Sequence, residues 1–168
     1  MMVAWWLVGL SSGAGGEWEE PVTFVSTSLT QKRQLPWHLW TVAVVALLWN
    51  GAGAYTIVMA QAGRLYDLEP GEAAYYAAQS TWFVVVTDIA LFAAIAAAVA
   101  LLARKRIAVA LFAVSLAAIF TTNGYELATG TSHAFRTPAT LIVTLTIVLI
   151  AILELAYAAA MKRRAVLR

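Results

Sequence analysis

The sequence predicts an all-α integral membrane protein: a bundle of four transmembrane helices running up-down-up-down, with both termini in the cytoplasm. Three observations carry this expectation. Of 168 residues, 62% are hydrophobic and only 12% are charged, where a soluble globular domain is nearer ~25% charged. Four long apolar stretches follow one another, roughly 39–60, 82–103, 107–127 and 139–161. The Lys and Arg residues segregate to one side of a chain that crosses four times.

The chain divides into an N-terminal extension, 1–33, and a four-helix domain, 34–168. The extension opens with MMVAWWLVGL, apolar but too short to span a bilayer. It lacks the positive n-region of a secretory signal. Cleavage at SSGAGG would leave the new N-terminus outside, in conflict with Lys32 and Arg33 at the mouth of the first span. A weakly ordered cytoplasmic tail, sequence upstream of the true start, and a segment lying on the membrane surface all remain open.

Each apolar stretch is about 20 residues or longer, which at ~1.5 Å per residue crosses the ~30 Å hydrocarbon core. Lipid offers the backbone no hydrogen-bond partners, so each must be helical. Trp37 and Trp40 bracket His38 at the start of the first span, and Tyr66, Tyr75, Tyr76 and Trp82 gather between the first and second. Such aromatic residues favour the membrane interface. Only Arg104, Lys105 and Arg106 separate the second span from the third, so these two form an antiparallel hairpin.

Lys32, Arg33, Arg104, Lys105, Arg106, Lys162, Arg163, Arg164 and Arg168 share one side, against Arg64 and Arg136 on the other. The positive-inside rule assigns the richer side to the cytoplasm. Asp67, Glu69 and Glu72 then lie in the first outer loop, His133 and Arg136 in the second.

Polar residues inside the spans are the informative ones, because a centred Asp costs about 2.5–3.5 kcal/mol to insert. Asn50, Asp88, Asn123 and Glu154 stand out. At 100° per residue, Asn50 shares a stripe with Ala43, Ala46, Gly53, Ala54 and Gln61. That small-residue face, with the mid-span GAGA at Gly51 to Ala54, suits close helix packing. Glu154 shares a stripe with Thr140, Ala151 and Ala158, so both residues should point into the bundle. Asp88 instead lies with Thr81, Val84, Val85, Phe92, Ile95 and Val99, away from the alanines of its helix. It is expected to face a central cavity or a second subunit, since even a neutral carboxyl in lipid needs a partner. Depth suggests one outward-facing polar site built from Asn50, Tyr55, Asp88, Asn123 and Glu126, with Glu154 a second candidate on the cytoplasmic half. The competing reading is that Asn50 and Glu154 only fix helix packing and that Glu126 is a solvated interfacial carboxylate.

No catalytic, cofactor-binding or metal site is expected. There is no cysteine, which excludes disulfides, thiol catalysis and iron–sulfur ligation. His38 and His133 fall on opposite sides, so they do not share a haem or metal. HExxH, GxSxG and phosphate-binding glycine loops do not occur. The net charge of +2 does not suggest nucleic-acid binding.

Two stretches, PWHLWTVAVVALLWNGAGAYTIVMAQ at 36–61 and RKRIAVALFAVSLAA at 104–118, together with the ending MKRRAVLR, resemble a family of small four-span bacterial inner-membrane proteins. Some of its members carry the label "sugar transporter". The resemblance covers about residues 34–168 and includes the Trp49–Asn50 pair. It implies four spans in a bacterial inner membrane. The family often has an aspartate after the aromatic of GAY, where this chain has Thr56. An acid-dependent role at that position is therefore in doubt here.

Three function classes follow. The first is a transporter or solute-permeation component working as an oligomer, since four spans alone enclose little space. The second is an accessory or assembly subunit of a larger membrane complex. The third, a redox or lipid-modifying membrane enzyme, has the least support because no cofactor ligands are present. The expected partners are the lipid bilayer, a small solute, and further copies or a membrane-complex partner.

Overall fold

A computed structural model describes residues 36–65, 70–131 and 137–168. The expectations for residues 1–33, and for Asp67, Glu69, His133 and Arg136, lie outside the described residues. The described chain is all-helical: α1 (His38–Gln61), α2 (Pro70–Ala78), α3 (Thr81–Leu102), α4 (Ile107–Thr129) and α5 (Pro138–Arg163). α1, α3, α4 and α5 are each long and apolar enough to cross a membrane. Their bounds match the four predicted spans to within two residues at every end, the usual latitude of a helix terminus. α2, at nine residues, is an element the hydropathy pattern does not announce.

Local chemistry sets the helix ends. Thr137 caps α5 reciprocally: its hydroxyl accepts from the Thr140 N–H at 3.2 Å, and the Thr140 hydroxyl accepts from the Thr137 N–H at 2.9 Å. Pro138 follows at the first helical position, where its missing N–H costs nothing. α4 stops at Gly130, whose N–H still donates to the Glu126 carbonyl at 2.9 Å and whose φ of 69° then turns the chain off the helix. α3 and α5 close with the same left-handed device on residues that resist it, Arg104 (φ 57°) and Ala165 (φ 52°). A β-carbon makes that conformation costly by about 1–2 kcal/mol, and backbone bonds hold both turns in place. Arg104 and Lys105 donate to the Leu101 and Ala100 carbonyls, Ala165 and Val166 to those of Lys162 and Met161.

α3 packs most extensively along α4, then against α1, while α5 lies mainly on α4. Ser115 of α4, buried in the α3–α4 interface, donates to the Ala90 carbonyl of α3 at 2.8 Å. The apolar core gathers at one end. Leu39, Ala43 and Ala46 of α1 meet Ala97, Ala98 and Leu101 of α3, Ala108 and Phe112 of α4, and Ala158 and Met161 of α5. Small side chains dominate because dispersion and close backbone approach, rather than hydrophobic exclusion, hold helices together in lipid.

The C-terminal segment completes this end. The Arg106 N–H donates to the Arg168 carbonyl at 3.0 Å, and the Arg168 N–H donates to the Arg104 carbonyl at 2.7 Å. Leu167, 1% exposed, drops into the core.

The GAGA expectation needs correction. Ala54 is buried, but a β-carbon added at Gly51 or Gly53 would meet nothing within 4 Å. Helix periodicity identifies a smooth face. It does not say whether a neighbour reaches it, and the core contacts of α1 concentrate in its first half.

Candidate functional site

The polar residues resolve into three separate places. The first joins α1 to α5. Asn50 projects from the buried stripe of α1 that also carries Ala43 and Ala46. Its amide donates to Glu154 Oε1 at 2.8 Å and to the Ala46 carbonyl of its own helix at 2.8 Å. A cavity of about 20 Å³ adjoins the pair, bounded by Trp49, Ser115, Ile119 and Ala151 among others. That volume fits about one water molecule. α1 and α5 otherwise touch little, apart from a hydrogen bond of 2.7 Å between His38 Nδ1 and the Tyr157 hydroxyl.

The second place is Asp88 on α3. The buried face of this helix runs through Phe83, Ala90, Ala94, Ala97 and Leu101. Val85, Ile89, Phe92 and Val99 are exposed on the opposite side. Asp88 sits between them, half-buried, and its Oδ1 is covered yet has no hydrogen-bond partner.

The third place lies at the opposite end of α3 and α4 from the basic turn. Here α2 touches α1 and reaches the end of α4 through its tyrosines. Tyr75 donates its hydroxyl proton to Glu126 Oε1 and accepts from the Gln79 amide. Burial, then the hydrogen bond to Glu126 and its charge, push the Tyr75 hydroxyl well above the ordinary phenol range, opposed only by the Gln79 bond. Tyr76 is raised too, first by burial and then by the carboxylates of Glu72 and Glu126. A cavity of about 180 Å³ opens beside this network, lined by Tyr75, Gln79, Ser80, Phe83, Tyr125 and Thr131 among others. Trp82 stands edge-on to Tyr125 with ring centroids 4.7 Å apart.

The expected five-residue site is not gathered in either cavity. Asn50 is bound to Glu154 instead. Tyr55 is 66% exposed. Asn123 turns back to the Ile119 carbonyl of its own helix at 2.8 Å. Glu126 engages Tyr75, and Asp88 meets none of them. Similar depth along separate helices leaves azimuth free, and azimuth decides which groups meet. Asn50 and Glu154, assigned to different sites by depth, are partners because both lie on inward stripes. The Tyr75–Gln79 edge of the outer cavity was missed: α2 is short, and its tyrosines read as an interfacial belt. Their i, i+4 spacing was the available signal.

No protein-family model, curated protein or solved structure matches the chain.

Proposed function

We propose that the protein is a bacterial inner-membrane component of a solute-permeation system, with the Asn50–Glu154 pair as its polar step through the apolar mid-section. The orientation proposed is up-down-up-down with both termini cytoplasmic. The one-sided distribution of Lys and Arg supports it. So does the core, which collects the starts of α1 and α4 with the ends of α3 and α5.

The observation that carries the functional reading is a carboxyl and an amide hydrogen-bonded within two spans, beside a water-sized cavity. An ionisable group at that depth is costly, and is typically retained where it meets water, an ion or a solute. The pair also ties two helices that share little other contact. Because four helices enclose so little space, the working unit is an oligomer.

Osmotic swelling of proteoliposomes, followed by stopped-flow light scattering with a panel of small polyols, sugars and amines, tests this. Swelling above protein-free vesicles for at least one solute, altered in Glu154→Gln and Asn50→Leu, supports the reading. Rates equal to empty vesicles for every solute would count against it.

Asp88 favours a second reading, an accessory subunit of a membrane complex. Asp88 is half-buried on the flank of α3, beside the uncovered Val85, Ile89 and Phe92, the face on which another chain would pack. Native mass spectrometry of the protein in lipid nanodiscs from its host separates the two: copies of one chain favour permeation, and a foreign subunit favours assembly.

A further inference from the structure

The turn between α3 and α4 and the C-terminal segment set cations against one another. Arg168 accepts from the Arg106 N–H and donates to the Arg104 carbonyl. These two backbone bonds fall on either side of Lys105, so Arg168 lies directly across from it. Arg106 leans over the same segment, its Nε donating to the Leu167 carbonyl at 3.3 Å. Lys105, Arg106 and Arg168 are all exposed, and like charges held this close repel.

The fold keeps this arrangement against strain. Arg104 and Ala165 adopt left-handed conformations, φ 57° and 52°, that turn the two segments toward each other. Leu167, buried in the core, anchors the C-terminal segment. Strain of this kind persists where the surroundings fix it, and it gathers at binding sites. Helix dipoles account for other cations at this end: Lys162 and Arg163 occupy the last turn of α5, whose negative end favours them. Lys105 and Arg106 stand instead at the start of α4, beside its positive end. An anion held among Lys105, Arg106 and Arg168 would remove the repulsion. A guanidinium has five N–H donors, and the Leu167 bond uses one of those of Arg106, which leaves donors for a phosphate.

The position favours a lipid phosphate over a soluble one. Trp37 and Trp40, both exposed, flank Leu39, which packs in the same core as Leu101 and Leu167. Tryptophans at the end of a span mark the headgroup level. Ile107 follows Arg106 directly and is 58% exposed, an apolar surface for an acyl chain next to a cation for the phosphate.

We propose that the junction of this turn and the C-terminal segment binds the headgroup of an anionic phospholipid, its phosphate held by Lys105, Arg106 and Arg168. The proposal does not rest on the permeation reading, because a lipid can bind here whether or not any solute crosses.

Native mass spectrometry of the whole protein released from detergent micelles tests it, with dioleoyl phosphatidylglycerol or dioleoyl phosphatidylcholine added as the probe. The two lipids share a phosphate and acyl chains and differ in net charge. Each Lys or Arg beside an anionic lipid contributes a factor of about five. The first phosphatidylglycerol should therefore bind at least about tenfold tighter than the first phosphatidylcholine. Lys105→Gln should weaken phosphatidylglycerol about fivefold. Arg64→Gln removes the same charge beyond the opposite end of α1 and should leave that affinity unchanged. Leu167→Ala keeps every charge but loosens the C-terminal segment, and should weaken phosphatidylglycerol as Lys105→Gln does. Equal affinity for the two lipids would overturn the proposal, as would unchanged binding in Leu167→Ala. Equal losses in Lys105→Gln and Arg64→Gln would also overturn it, reducing the effect to overall charge. Glycerol phosphate, the headgroup without chains, should bind far more weakly; binding as tight as the lipid would make the ligand a soluble phosphate and overturn the lipid assignment. The lipid comparison uses the unaltered protein and Lys105 is exposed, so the matter is decided even if Leu167→Ala does not fold.

Discussion

Replacing Asn50 by leucine removes the donor that Glu154 Oε1 uses at 2.8 Å, within two spans where water is scarce. Interhelical hydrogen bonds in membranes average ~0.6 kcal/mol, with values up to ~1.7. This one also satisfies a carboxyl oxygen, and an acceptor left alone costs about 1–3 kcal/mol. Asn50→Leu should therefore destabilise the bundle by about 1–3 kcal/mol. Glu154→Leu should be milder, because Asn50 retains its bond to the Ala46 carbonyl and no charge is left behind. In the double variant neither polar group remains, so the loss should be smaller than the sum of the singles. A double-mutant cycle, measured by reversible unfolding in mixed SDS and dodecyl maltoside micelles, should give a coupling near 1 kcal/mol. Glu154→Gln keeps a side-chain carbonyl at the same reach and should stay within ~0.5 kcal/mol of the unaltered protein. Coupling below ~0.3 kcal/mol is what independent sites show, and would refute the reasoning.

Other perturbations have equally definite outcomes. Ala165→Gly relieves a left-handed residue (φ 52°) and should raise stability in the same micelle assay by up to ~1 kcal/mol. Leu167→Ala should lower stability by about 2 kcal/mol or more, since the side chain is 1% exposed in the core. It should also free the tail from the Arg104–Arg106 turn, measurable as faster trypsin cleavage at Arg164. Alkaline absorbance titration should show Tyr75 and Tyr76 ionising later than an ordinary phenol near ~10, with one late transition gone in Tyr75→Phe. Because the folded state holds these protons more tightly, their stabilising effect is complete below about pH 10 and is lost as pH rises further.

The four spans were legible because lipid imposes one rule on every residue between two interfaces, and hydropathy records that rule directly. Helix stripes were legible for the same reason: Asn50 and Glu154 both fall on inward faces, and Asp88 falls off the alanine face that packs. Partnership was less legible. It depends on helix rotation, tilt and the order of neighbours, which no single stripe contains. Gly51 and Gly53 show this plainly, because a smooth face met open space instead of a helix. α2 escaped because nine residues carry too little periodicity to stand out. The tail-to-turn pairing escaped because it rests on backbone atoms 62 to 64 positions apart, to which side-chain patterns are blind.

The central claim is that the Asn50–Glu154 cavity belongs to a hydrated path and is not a dry packing tie. The chain has no cysteine, so a single one can be introduced without background. Ala151 lines the cavity, while Leu149, two residues earlier, is 56% exposed on the outer face of α5. The measurement is silver-ion modification of Ala151→Cys and Leu149→Cys in sealed proteoliposomes, followed by intact mass. The account predicts rapid silver addition at position 151 and little at lipid-facing position 149. Equal inertness at both would contradict it and reduce the pair to a structural tie.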